Sequence, residues 1–420
     1  AQQLRLFENA VSDLDFKSTK DGFWLPSLKL ELNTSVHRVT QLHNGNLDAK
    51  PTSKIPSGTL ALKFTDYTVF NWGKDLLDYM NKESRYKRDK EKLLEARRSL
   101  RHQIIDTFFK LYSVKEIEKV YREQLQKSAF VYRLNREKVL LGKVSKQDYY
   151  QARSEYLRSQ NEFFEARNRA EQTDEEMAKL LGDDSRTRYI PGEDLVYRDV
   201  KTQIEEAEKL ASKNNTEILD AELSVENTKR SYEIQVKESL PLPKFTLNLG
   251  AYTSTFGDGQ GHTHYSTTPG NSDVEVVASI NASWDIWGEN GFFNSRKTRR
   301  SLILNHSAYK ELERAKFDST RGLREAYKDI FTGQDQITVL QTRKENVAKT
   351  YDLVLDNYLA KRTDYSNLIF ALKELVQTKS TEIIALYSHV SAKIKLASLA
   401  GVDDLPGENF ESLVKKKEID

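Results

Sequence analysis

The chain has 420 residues, 30% charged and only 38% apolar, with 65 Lys and Arg against 63 Asp and Glu for a formal net charge of +2. Its mean hydropathy is −0.67, which leaves little for a deep core. Interleaved signs exclude the concentrated basic face that a nucleic-acid partner needs, and the lack of cysteine excludes disulfides, thiolate metal sites and cysteine nucleophiles. No run approaches the roughly 18 to 20 apolar residues of a spanning helix, so a helical membrane protein is excluded.

In chain order, the first expected elements are strands at about 27–40 and 57–71. Leu28, Leu30, Leu32, Thr34 and Val36 alternate with Lys29, Glu31, Asn33 and Ser35, and Leu60, Leu62 and Phe64 alternate with Thr59, Ala61 and Lys63. Period 2 gives each strand one apolar and one polar face. Residues 41–56 between them form a polar loop.

Residues 57–190 hold no proline, and Gly142 is the one glycine within 74–181, in a stretch crowded with good helix formers. Helices are expected at about 74–141 and 146–181, the first on the order of 100 Å long at 1.5 Å per residue. The second carries a 3,4-spaced seam through Tyr149, Ala152, Tyr156, Ser159, Phe163, Ala166, Ala170, Thr173, Met177 and Leu180, the pattern of helices that pack along their length. In the turn between them, Ser145 and Asp148 read as a capping box for the returning helix.

Strands recur at about 244–256 and 273–287, with Phe245, Leu247, Leu249 and Ala251 on one face of the first and Val274, Val276, Ala278, Ile280, Ala282 and Trp284 on one face of the second. The loop between them holds Gly257-Asp-Gly-Gln-Gly261, His262 and His264. No helix or Lys-Ser/Thr pair follows the glycines and no third metal ligand accompanies the histidines, so neither a phosphate cradle nor a metal site is expected. Helices at about 292–359 and 364–400 close the chain, with a seam through Ile369, Leu372, Val376, Ile383, Leu386 and Val390; Thr363 or Asp364 opens the second.

The halves echo each other, with a first repeat at 1–210 and a second at 211–420. Leu25-Pro26 returns at Leu242-Pro243, Asn71-Trp72-Gly73 at Ile286-Trp287-Gly288, and Gly142-Lys-Val-Ser-Lys-Gln-Asp148 at Lys361-Arg-Thr-Asp-Tyr-Ser-Asn367. All four tryptophans, Trp24, Trp72, Trp284 and Trp287, lie at or near strand ends, as in an interfacial aromatic girdle. Four strands cannot close a barrel, and hydrocarbon does not tolerate an open sheet edge. Three copies would supply twelve strands.

This duplicated order of strand pair, long helix, turn and second helix resembles the TolC-like outer membrane efflux proteins. The specific parts are Leu25-Pro26-Ser27-Leu28, Leu242-Pro243, Trp287-Gly-Glu-Asn-Gly291, the turn at Gly142–Asp148 and Leu396-Ala-Ser-Leu-Ala-Gly401. The resemblance implies a mostly α protein with a β-barrel, a homotrimer whose twelve-stranded barrel spans the Gram-negative outer membrane and continues as a periplasmic α-helical coiled-coil tunnel. Residues 183–210 and 402–420 would form an equatorial region. It implies no enzyme and no cofactor, but a passive exit duct for tripartite efflux or type I secretion. Its partners would be outer membrane lipid, a periplasmic adaptor and an inner membrane RND or ABC transporter. By the same pattern further residues would precede Pro26, and a signal sequence is removed on export.

Site residues follow from the resemblance as well. Adaptor docking would fall on Tyr132, Arg133, Leu134, Gly142, Lys143, Val144 and Ser145. A latch closing the periplasmic end, a tyrosine and arginine of the inner hairpin bonded to an acidic residue of the outer, would map onto Asp148, Tyr358, Arg362 and Thr363. The constriction that carries aspartates in some relatives would carry Asn367 and Phe370, with Asp364 nearby. A soluble coiled-coil scaffold is the competing reading, and it leaves the tryptophan-flanked strands without a purpose.

Overall fold

The computed structural model describes residues 2–35, 41–43, 46–48, 57–142, 144–191, 193–195, 197–200, 202–256, 275–288, 291–293, 295–410 and 414–416. Its first elements are α1 (Gln2–Trp24), β1 (Leu28–Ser35), β2 (Gln41–His43), β3 (Asn46–Asp48), β4 (Ser57–Phe70), α2 (Lys74–Leu140) and α3 (Lys146–Leu181). There follow β5 (Glu193–Leu195), α4 (Ile204–Asn214), α5 (Thr216–Glu238), β6 (Lys244–Phe256), β7 (Glu275–Ser283), α6 (Ser295–Leu359), α7 (Tyr365–Ala400) and β8 (Val414–Lys416). The Gly-rich stretch 257–261, His262, His264 and Val274 lie outside the described residues.

The chain divides into two compact units. The first, Ala1–Leu93 with Asp220–Leu312, holds a four-stranded antiparallel sheet in the order β1-β4-β6-β7. Its register places Leu28 opposite Phe64, Phe64 opposite Leu249 and Leu249 opposite Ala278, so the apolar residues of all four strands share one face. That face is bare: Leu30 is 67% exposed and Ile280 72%. On the other face Lys63 pairs with Glu31 at 2.6 Å and Ala61 is buried. The strand expected to reach 287 stops at Ser283. The chain there folds into a turn in which Phe292 N donates to Asp285 O at 2.9 Å, and Gly291 packs so tightly that a Cβ would stand 2.5 Å from Ile286 O.

Two helices of this unit were not legible in advance. α1 packs on α2 through stacked Phe16–Tyr86 rings 4.2 Å apart and Phe23–Tyr79 rings 4.8 Å apart, and α5 packs on it through Arg88 Nε to Asp220 Oδ1 at 2.8 Å. Both are 23 residues long, and Thr216 follows Gln2 as Glu238 follows Trp24, by 214 positions (216 less 2, 238 less 24). The repeat therefore includes a helix ahead of each strand pair.

The second unit, Leu94–Leu219 with Glu313–Asp420, is helical around two cores. One gathers Phe109, Ala211, Leu323, Ile330, Ile394, Ala397, Leu405 and Phe410. The other gathers Val131, Ala152, Tyr351, Tyr358, Tyr365, Leu368, Leu372 and Leu375 beside the hairpin turns. Of the seam read from α3, Ala152, Ser159, Ala166, Ala170, Thr173 and Met177 are buried; small residues there let neighbouring backbones approach. β5 pairs with β8, Glu193 opposite Lys416, tying the segment after α3 to the one after α7. Helix α7 contains an 18-residue window of mean hydropathy 1.2, which by length and composition alone would suit a membrane. Its apolar residues are instead shared between both cores.

Candidate functional site

The candidate residues gather at two features, the sheet end and the hairpin turns. The antiparallel order brings the start of β1, the end of β4, the start of β6 and the end of β7 to the same end of the sheet, and the four tryptophans collect there. Trp24 is 62% exposed, Trp284 52% and Trp287 82%. Trp72 is fixed more firmly: its backbone is left-handed at φ 55°, its indole N–H donates to Pro243 O at 2.9 Å, and Lys237 Nζ donates to its carbonyl at 3.0 Å.

Each hairpin turn needs one left-handed residue to reverse the chain. In the first that residue is Gly142, at φ 68°; in the second it is Lys361, at φ 63°. Arg362 N then donates to Asn357 O at 2.8 Å, closing the end of α6. Helix α3 opens at Ser145, whose Oγ accepts from Asp148 N at 3.1 Å while its hydroxyl donates to Asp148 Oδ2 at 2.8 Å. The serine half of the capping box is as expected, while the carboxylate half is corrected: the carboxylate accepts from the serine hydroxyl. Asp364 caps α7 by backbone conformation, with no side-chain bond to an amide.

Around the first turn, Tyr132 stacks on Tyr156 at 5.4 Å and 8°, and lies 5.9 Å from Tyr149. The bond to Tyr132 raises the Tyr149 hydroxyl above its usual range. Arg133 is exposed, Leu134 packs against the core that holds Tyr358 and Tyr365, Val144 is half-buried, and Lys143 lies outside the described residues. Leu140 and Leu141 stand 81% and 67% exposed at the apex.

At the second turn the residues matched to a latch divide. Tyr358, 8% exposed, does not bond Asp148; its hydroxyl donates to Asn135 Oδ1 on α2 at 2.6 Å. Burial raises the Tyr358 hydroxyl, the Asn135 bond opposes that, and the Asp148 charge adds to it, which places Asp148 within electrostatic reach only. Lys138 Nζ sits 5.3 Å from the Tyr358 ring centre. Thr363 accepts from Asn367 Nδ2 at 3.1 Å, and Arg362 is exposed. Asn367, Asp364 and Phe370 are all exposed in the protomer, Phe370 at 68%.

Asn135 escaped the sequence reading, although a signal was present. Val120, Gln124, Ser128, Val131 and Asn135 repeat at 4,4,3,4 spacing and are all buried, so the α2 seam is partly polar. Lys393, wholly buried, was also missed. Its Nζ donates to Arg198 O at 2.7 Å and pairs with Glu408 at 3.0 Å; burial lowers its pKa and Glu408 counters. Among the described residues no group of His, Asp and Glu is arranged to hold a metal.

Residues 21–183 match the family model described as outer membrane efflux protein. No curated protein matches the sequence. Among solved structures, the Campylobacter jejuni CmeC outer membrane channel is similar at 14% identity and a TM-score of 0.78, covering 98% of this chain and 84% of that one. The Vibrio cholerae outer membrane protein VceC gives 13% and 0.77, over 95% and 92% of the two chains. The open state of the Neisseria gonorrhoeae MtrE outer membrane channel gives 13% and 0.71, over 96% and 86%. At such identities the likeness is one of fold.

Proposed function

We propose that the chain is a TolC-like outer membrane efflux protein, a reading supported by the family-model match over residues 21–183 and by the likeness of fold, and that three copies form a passive duct through the Gram-negative outer membrane and into the periplasm. The observation that carries this is the sheet. Its four strands leave an apolar face exposed and two edges unpaired within the protomer, a state that lipid tolerates only when further strands close the ring. A soluble scaffold leaves that face in water, and nothing described covers it.

The duct needs no chemistry of its own. Energy comes from an inner membrane RND or ABC transporter reached through a periplasmic adaptor, which docks on the α2–α3 turn around Tyr132, Arg133, Leu134 and Gly142–Ser145. Exposed Leu140 and Leu141 support that assignment, since bare leucines at an apex mark a contact surface. Trp24, Trp72, Trp284 and Trp287 mark the membrane boundary. The α6–α7 turn forms the gate, in which the tie from Tyr358 to Asn135 holds the inner hairpin to α2, with Asp148, Arg362 and Thr363 around it. Asn367 and Phe370 line the constriction with Asp364 at its rim, giving a mouth without the aspartate ring that attracts multivalent cations.

Purified protein in planar bilayers tests the duct. We expect trimers in detergent and discrete conductance steps; a water-soluble monomer that never inserts would end the proposal.

A further inference from the structure

The interleaving of charges along the chain has a local exception where α6 leaves the sheet. Residues 291–310 hold five cations, Arg296, Lys297, Arg299, Arg300 and Lys310, and no Asp or Glu. We propose that Arg299 and Arg300, in the field of Arg296 and Lys297 and beside the rings of Trp287 and Phe293, bind the phosphate of an anionic phospholipid headgroup where the membrane meets the start of α6. This rests on the reading of the sheet as the membrane-embedded part and adds to it a lipid class and the residues that select it.

Elsewhere a cation on a helix of this protein commonly has a carboxylate one turn away. Further along α6, Arg314 pairs with Asp318 at 3.4 Å and Arg321 with Glu325 at 2.8 Å, and on α2 Lys82 pairs with Asp78 at 3.1 Å. Such pairs make a charged helix face neutral and solvated. The start of α6 has no acid to pair in this way. The positions three and four away from Arg299 and Arg300 hold Ser295, Arg296, Lys297, Leu302, Ile303 and Leu304, so the near neighbours on the helix are of like charge or none. Both arginines are exposed, and among the described residues neither joins an ion pair. Arg296 and Lys297 engage groups of their own protomer, which leaves the ligand to Arg299 and Arg300. Nor does the duplication of the chain explain the cluster, because α2, which follows Trp72 as α6 follows Trp287, opens on Asp75.

α6 turns its other side to α5. Thr298 Oγ1 donates to Gln235 O at 3.2 Å, and Ser301 is 8% exposed. At about 100° per residue the four cations spread over about 160° of the opposite side. That arc is wider than the roughly 100° stripe with which a helix packs, and it suits a layer of headgroups better than one helix of a second copy. The surface beside the cations also selects an amphiphile over inorganic phosphate. Trp287 is 82% exposed and Phe293 63%, their ring centres lie 5.4 Å apart, and Phe292 stands 4.5 Å from Phe293. Aromatic rings settle at the level of the headgroups, and a guanidinium fork matches two phosphate oxygens.

Native mass spectrometry of the detergent-purified full chain reads bound lipid and oligomeric state together. We expect phosphatidylglycerol to be retained roughly tenfold more than phosphatidylcholine with the same acyl chains. Arg299→Gln with Arg300→Gln should remove most of that preference, while Arg299→Lys with Arg300→Lys, which keeps both charges, should hold it to within a few-fold. Equal retention of the two lipids, or a preference that the glutamine pair leaves intact, would overturn the proposal. Displacement of phosphatidylglycerol by an equal concentration of inorganic phosphate would overturn the choice of a lipid. Dissociation of the glutamine variant into monomers, with no lipid preference in the unaltered protein, would assign the arginines to a second copy instead. The duct itself is judged on the conductance of the unaltered protein: conductance steps without lipid preference defeat this proposal alone, and an absence of conductance defeats the reading beneath it.

Discussion

Helices α3 and α7 end alike, yet the same substitution at their two ends should cost very different amounts. Gly182 and Gly401 both adopt the left-handed conformation, at φ 84° and 68°, and both donate back to the last turn. Alanine in that conformation costs about 1 to 2 kcal/mol, less a few tenths regained because the unfolded chain becomes stiffer. At Gly182 nothing lies within 4 Å of an added Cβ, so Gly182→Ala should lose about 1 kcal/mol. At Gly401 the added Cβ would stand 2.3 Å from Asn214 O and 2.6 Å from its carbonyl carbon. Those are backbone atoms at the end of α4, which is pinned because Ala207 and Ala211 are fully packed in the core shared with Ala397 and Ala400. Relief requires moving α4, adding roughly 1 to 3 kcal/mol as in other overpacked cores. Urea titration of the detergent-solubilised protein, followed by far-ultraviolet circular dichroism, should therefore place Gly401→Ala well below Gly182→Ala. Equal midpoints would refute the close approach of α4 to the α7 cap.

Two further predictions concern the gate. Tyr358→Phe leaves Asn135 buried without its donor, a loss of about 1 to 3 kcal/mol, and together with Asp148→Ala it should raise resting conductance in planar bilayers; an unaltered conductance would remove this tie from the gate. If Asn367 and Phe370 line the constriction as proposed, micromolar trivalent cations should leave single-channel conductance nearly unchanged, and strong block would show that acidic groups line the mouth after all.

What could be read ahead of the structure was whatever has a strict period. The alternation through Leu28 and Leu30, and through Leu247 and Leu249, gives strand faces directly, and the Ala and Ser seam of α3 gives its buried side. Helices α1 and α5 were missed because their contacts to α2 are aromatic and charged, Phe16 on Tyr86 and Asp220 on Arg88, and leave no apolar stripe. The partner of Tyr358 within the protomer was missed for a related reason. Alignment on the turns pairs Tyr358 with Asp148, whereas the side chain reaches α2, and which helix lies within reach is a tertiary fact that spacing around a turn does not encode. Lys393 and Glu408 show the limit most plainly: a lysine in an apolar helix reads as solvated until its carboxylate is seen beside it.

His389 gives the pH dependence a sign. It is 2% exposed on α7, its ring 5.1 Å from that of Tyr197, with Gly333 of α6 against it and Nε2 unpartnered. Burial, helped by the Lys393 charge and opposed by Asp199, pushes its pKa down to about 4 from the usual 6.5. The fold thus holds the neutral ring, while the unfolded chain takes up a proton on passing below the unperturbed value. Stability from this group is fully present above about pH 6.5 and is lost as the pH falls toward 4, to a total of about 3 kcal/mol at roughly 1.4 kcal/mol per unit. Carboxylates in general titrate in the same acid range, so the informative quantity is the difference from a variant that cannot titrate there. Between pH 7 and pH 4.5 the protein should lose about 2 to 3 kcal/mol more than His389→Gln. Parallel losses in urea titrations at the two pH values would mean that the histidine is hydrated in the assembled protein and that its burial between α6 and α7 is not maintained.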